Sequence, residues 1–157
     1  MIILAIDPGN VDSAYVVYDM KLETNPILDF SLDKNEIVRE ALKDRLDSVD
    51  ATVIEMVASY GMPVGKTVFE TCVAIGRFWE LLKEKPVYTL YRKQITLELC
   101  NSTRAGDSNV RQRLIDIYGP PGTKKCPGVL YGFSKDLWAA LAVAEAFKRI
   151  KERDIFE

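Results

Sequence analysis

MIILAIDPGNVDSAYVVYD, residues 1–19, is the stretch on which the fold turns. The apolar run Ile2 to Ile6 has the length and composition of a buried strand, and it ends on a carboxylate, Asp7. Pro8 and Gly9 turn the chain, and a second β-rich run, Ala14 to Asp19, follows within a few residues. Strands joined by so tight a loop pair antiparallel. A core strand that stops on an acid raises the question of what its end is for.

Outward from this hairpin, PILDFSL (Pro26 to Leu32) alternates and extends the pair into a meander, with Asp33 in N-cap position for a helix over residues 35–49. In that helix Ile37, Val38, Ala41, Leu42, Leu46 and Val49 fall at helical spacing. ATVIEM (Ala51 to Met56) reads as a short buried strand that again ends near an acid, Glu55. SYGMPVGK is a loop, residues 67–83 a long helix with an apolar face, and residues 87–91 a strand. Residues 93–100 suit a short helix, 109–118 an amphipathic one, and 119–128 a Pro/Gly-rich loop with Lys124 and Lys125. The chain then closes on a helix from about Ser134 to Glu152. Without repeats or a linker, the chain reads as a single domain, residues 1–157. The order is mixed α/β, and the helical crossovers after the meander make the later strands parallel. A mixed five-stranded sheet, antiparallel meander plus parallel strands, flanked by helices is the fold expected.

Composition narrows the chemistry. The chain has no histidine, which removes Ser-His-Asp triads, Cys-His dyads and histidine-ligated zinc. Cys72, Cys100 and Cys126 are scattered and odd in number, against a disulfide framework and for a reducing compartment. No apolar run approaches the roughly 18 residues of a membrane span, and the N-terminus lacks the marks of a signal peptide, so a cytoplasmic protein is expected. The net charge of −2 means that any nucleic-acid binding depends on a local basic face.

Three acids stand in unusual places: Asp7 at the end of the first strand, Glu55 inside an apolar strand, and Asp136 at the opening of the apolar final helix. If the first and fourth strands are neighbours, Asp7 and Glu55 converge at one sheet edge, and the final helix can bring Asp136 over them. Such a cluster is costly unless a cation neutralises it, and an oxygen-only set suits Mg²⁺, with Mn²⁺ as substitute. Taken singly each acid has an ordinary reading, as a turn residue, a strand-end charge or an acid in the first turn of a helix; together, on these elements, they point to metal-dependent hydrolysis of phosphodiesters.

With these motifs the sequence resembles the RuvC-type Holliday junction resolvases of the RNase H-like superfamily. ILAIDPGN resembles the family's first acidic strand, ATVIEMV its second, GKTVFETCVAIGR the following long helix, and YRKQITLEL the segment with a family lysine, here Lys93. DSNVRQRLIDIYG resembles the next helix and KDLWAALAVA the last acidic one. The resemblance implies a dimeric endonuclease, bacterial or from a phage, that nicks opposed strands of branched DNA. It implies metal held by Asp7, Glu55 and Asp136 with Lys93 assisting, and bacterial members usually work with a branch-migration motor. The sequence departs from the pattern at Ala139, where the family carries a further acid. A three-carboxylate site and a replaced acid both remain open there. Asp107 stands near a second family lysine, for which Arg104 is the nearest substitute, and Ala58 replaces an aromatic that Tyr60 can supply from the loop.

Phosphate contacts are expected from Lys66, Arg92, Lys93, Arg104, Arg111, Arg113, Lys124, Lys125 and Lys135, and stacking on an unpaired base from Tyr60. A second apolar stripe on the 67–83 helix, with Phe69, Val73, Gly76 and Leu81, would make a two-fold homodimer. Three other functions fit parts of the pattern: an RNase H-like nuclease for another nucleic acid, a junction-binding protein with weakened catalysis, and a fragment of an actin-like kinase, whose phosphate-binding turn IDPGN resembles. The chain is short for the last, and no second phosphate loop is visible.

Overall fold

The computed structural model describes residues 1–156. Its strands are β1 (Ile2–Asp7), β2 (Asp12–Asp19), β3 (Ile27–Lys34), β4 (Ala51–Met56) and β5 (Val87–Tyr91). Its helices are α1 (Asn35–Lys43), α2 (Lys66–Leu82), α3 (Arg92–Cys100), α4 (Asp107–Tyr118) and α5 (Leu137–Phe156). The strands form one sheet in the order β3-β2-β1-β4-β5. β1 pairs antiparallel with β2, and β2 with β3, while β4 lies parallel to both β1 and β5. This is the mixed sheet that the hairpin and the helical crossovers demand.

Both faces of the sheet are covered. Ile3, Ala5, Val16, Ala51 and Val53 point to the side of α3, α4 and α5, whereas Leu4, Ile6, Val17 and Ile54 point to α1 and α2. The unbroken apolar run in β1 follows from this double burial: period-two alternation sends successive side chains into different cores. α5 is the central helix of its face. Residues Ala140 to Ala144 and Ala146 have no exposed surface, and the repeated alanines let the helix lie close against β1 and β2. No helix among the described residues is long and apolar enough to cross a membrane.

Several boundaries differ from the sequence reading. The 35–49 helix stops as an α-helix at Lys43 and continues as a 3₁₀ turn, Leu46–Ser48. That turn keeps Leu46 and Val49 on the covered side, so helical spacing persists where the α-helix does not. Asp33 is no N-cap: it stays in β3, paired with Ser13, and Lys34 holds the cap position without a side-chain bond. The three helices expected after β5 are all present. α5 begins at Leu137, and Ser134 to Asp136 form a turn with Lys135 at φ 47°.

Candidate active site

Two features of β1 and β4 bring Asp7 and Glu55 together. Along β1, Asp7 follows Ile3 and Ala5 in the period-two pattern, and Glu55 follows Ala51 and Val53 along β4. The register pairs Ile3 with Ala51 and Ala5 with Val53, so one step beyond the last pair, Ile6 with Ile54, Asp7 falls opposite Glu55. Their side chains meet in a hydrogen bond in which protonated Asp7 donates to the Glu55 carboxylate. The hairpin turn is fixed by a buried polar network: Gly9 N–H donates to Ser13 Oγ at 3.1 Å, Ser13 Oγ donates to Asn35 Oδ1 at 2.6 Å, and Asn35 Nδ2 donates to the Gly9 carbonyl at 3.0 Å. Gly9 is required there, since a Cβ would come within 2.2 Å of the Asp12 carbonyl oxygen. Sequence reasoning passed over Ser13 and Asn35. The available signal was a polar residue opening the apolar run of β2, and an asparagine at a helix start.

The electrostatics are those of crowded acids. Burial, then the neighbouring Glu55 and Asp136 charges, push the Asp7 carboxyl up to about 8, against the opposing pull of Arg92. Burial also raises Glu55, while Arg92 and the bond from Asp7 lower it. The Arg92 side chain reaches in from the first turn of α3. Its Nη1 lies 4.0 Å from Glu55 Oε1 and its Nη2 pairs with Asp107 Oδ1. Arg92 forms a wall shared by two cavities. One, of about 230 Å³, is lined by Asp7, Glu55 and Tyr60 among others. The other, of about 590 Å³, is lined by Asp107, Arg111, Lys135, Asp136 and Ala139. Asp136 and Ala139 share one cavity, as their i, i+3 spacing requires.

Chemically the donor set fits a hard divalent cation: two buried carboxylates that burial and mutual charge raise, with the Asp136 charge close enough to raise Asp7 further. The fit is open rather than enclosed. Among the described residues no three acidic or thiol side chains are gathered tightly enough to surround an ion. Asp7 and Glu55 form a two-carboxylate seat, and Asp136 faces the cavity on the other side of Arg92.

The remaining sequence candidates scatter around this centre. Lys93 Nζ sits 4.4 Å above the Tyr60 ring, and the Lys93 backbone N–H points at Tyr60 Oη at 3.4 Å. Tyr60 itself is exposed, at φ 48° beside Gly61 at φ 81°, a loop bend that puts its ring against the first cavity. The Arg111 guanidinium stacks on Trp138, 4.9 Å from the ring centre. Lys135 lines the larger cavity. Lys66 opens α2, 3.6 Å from Glu70. Arg104, Lys124 and Lys125 are exposed on loops, the lysines on a hairpin closed by a Gly122–Pro127 bridge. Arg113 is turned inward, donating to the Leu99 carbonyl at 3.1 Å, and so is engaged with its own fold.

No family model matches the sequence, and no curated protein matches it as a relative. Solved structures match its fold. Thermus thermophilus RuvC superposes with a TM-score of 0.73 at 18% identity, over 98% of this chain and 97% of that one. T. thermophilus RuvC in complex with Holliday junction substrate gives 0.73 at 17% identity, over 96% of each chain. Fowlpox virus resolvase in its complex with Holliday junction DNA gives 0.47 at 11% identity, over 96% of this chain and 99% of that one. The fold of this chain is therefore that of RuvC, the RNase H-like fold expected from the sequence.

Proposed function

We propose that this chain is a structure-selective endonuclease that nicks Holliday junctions or other branched DNA by divalent-metal-dependent hydrolysis, its 157 residues acting as one nuclease unit. The observation that carries the reading is the Asp7–Glu55 pair at the ends of adjacent parallel strands, with Asp136 nearby, in a fold shared with RuvC over almost the whole chain. Asp7 and Glu55 would hold Mg²⁺ or Mn²⁺, with Asp136 approaching as the third ligand. The bound cation would activate water and stabilise the leaving oxygen. Lys93, stacked on the ring of Tyr60, which lines the Asp7–Glu55 cavity, would neutralise a phosphate there. Lys66, Arg104, Arg111, Lys124, Lys125 and Lys135 supply backbone contacts, and the exposed Tyr60 offers a stacking face to an unpaired base.

Two symmetric nicks need two sites, and α2 offers the means of pairing. Phe69, Val73 and Trp79 are respectively 60%, 56% and 42% exposed, and they line one side of the helix with the open Gly76. Leu81, expected in this stripe, instead packs inward on the α1–α2 core.

The test is single-turnover cleavage of a synthetic four-way junction, a fork and an RNA–DNA hybrid in Mg²⁺ and in Mn²⁺. Junction nicking that Asp7→Asn abolishes while junction binding persists is the expected result. Preference for the hybrid would reassign the substrate, and full activity of the variant would remove Asp7 from the mechanism. A second reading, a junction-binding protein with weakened catalysis, is favoured by Ala139, which adds no ligand beside Asp136. Binding without cutting in either metal would select it.

A further inference from the structure

We propose that Arg92 is a tethered counter-cation, held by Asp107, which lines both acidic cavities and sets how tightly the site takes a divalent ion. The inference rests on the metal-binding reading above and adds a positioning role that no spacing in the sequence revealed. Arg92 contacts an acid on either hand: Glu55 at 4.0 Å through Nη1, and Asp107 through Nη2. Its side chain is 27% exposed, whereas that of Asp107 is 98% exposed, so the anchor lies on the solvent side and the guanidinium points inward. It is also the wall common to the cavity of Asp7 and Glu55 and the cavity of Asp136.

The physical consequence has a definite sign. A fixed positive charge beside Glu55 partly does a cation's work and repels an incoming one. An ion seated on Asp7 and Glu55 competes with the guanidinium for Glu55, at the wall that their cavity shares with the cavity of Asp136. Asp107 gives Arg92 somewhere to go, because the arginine keeps one ion pair when it gives up Glu55. Remove Asp107 and the remaining partner of Arg92 is the carboxylate that the ion needs. The two residues of one ion pair should thus act on metal affinity in opposite directions.

The experiment measures Mn²⁺ binding to the DNA-free protein from the electron paramagnetic resonance signal of the free ion, with circular dichroism to verify folding. Arg92→Gln should tighten binding roughly tenfold, the scale of one removed neighbouring charge. Arg92→Lys, which keeps charge but loses the two-ended fork, should tighten it less. Asp107→Asn should weaken binding several-fold, and in the Arg92→Gln background it should change nothing, because Asp107 acts through Arg92. An Asp107→Asn effect of equal size in both backgrounds would show that Asp107 acts by its own charge and would overturn the tether. Asp7→Asn separates the two layers of argument. If it leaves Mn²⁺ binding intact, the metal reading itself fails. If it removes binding while the Arg92 and Asp107 variants stay within twofold of the parent, only the tether fails.

Discussion

Burial at the strand end, then the Glu55 and Asp136 charges, raise the Asp7 carboxyl to about 8. Its raised folded value sets the sign of a pH effect. Folding favours the protonated form, so this contribution is fully present below the unfolded value of 3.8 and is lost as pH rises through about 8. Asparagine mimics the neutral acid at every pH. In chelator, Asp7→Asn should therefore melt above the parent at pH 9, by roughly 5–10 °C for a few kcal/mol in a domain of this size, and the gain should vanish near pH 4. A pH-independent difference would show that the acids are not crowded in solution. Ala139 poses the complementary case. It lines the same cavity as Asp136, so Ala139→Asp adds an oxygen ligand on that side without disturbing the buried face of α5. Junction cleavage at saturating Mg²⁺ should rise by roughly 100-fold, the scale of one restored electrostatic stabiliser. A parent that already cuts at the variant's rate would select the three-carboxylate site.

α5 is positioned by more than its alanines. Glu145, 5% exposed in the middle of the helix, accepts hydrogen bonds from Tyr18 of β2 at 2.8 Å and from Tyr118 at the end of α4, while Arg149 one turn on donates to it at 2.8 Å. Burial alone would raise its carboxyl, but the bonds from Tyr118, Arg149 and Tyr18 outweigh it and hold the group below its ordinary value. The same burial and the same anion push both phenols up. This knot ties sheet, α4 and α5 together beneath the helix that leads to Asp136. Glu145→Ala would remove the anion that accepts from both phenols and the guanidinium, leaving the phenols only their mutual bond at 2.8 Å, and should cost about 3 kcal/mol in denaturant unfolding. The lowered value means that this stabilisation is present above the unfolded carboxyl value and is lost as pH falls through the folded one. The penalty should accordingly shrink in acid; a constant one would assign the loss to packing. The sequence hid Glu145, because one acid in a long apolar helix, four residues before an arginine, reads as an i, i+4 surface pair. Its true partners lie 127 and 27 positions away in the chain.

For the whole molecule, the unpaired stripe on α2 predicts the assembly. Sedimentation at micromolar concentration should give a dimer, and Phe69→Asp with Trp79→Asp should give a monomer that still binds Mn²⁺ but no longer makes paired cuts. A parent that stays monomeric with DNA bound would dissociate paired cutting from this face. Local pattern alone determined the β1–β2 hairpin, the extents of β4 and β5 and the apolar face of α2, since these follow from periodicity and turn chemistry acting over a few residues. It also marked Asp7, Glu55 and Asp136, because an acid at the end, inside or at the opening of an apolar run is visible wherever the elements eventually lie. The tertiary structure alone decided what those acids face. The parallel register of β1 on β4 puts Asp7 opposite Glu55, and the first turn of α3 brings Arg92 beside Glu55, into the wall common to both cavities. Ser13 and Asn35 were drawn into one turn by strand pairing, and Glu145 into a knot of three elements. Pairings of this kind join residues far apart in the chain, and their free energy depends on distance and burial, which exist only once the elements have packed.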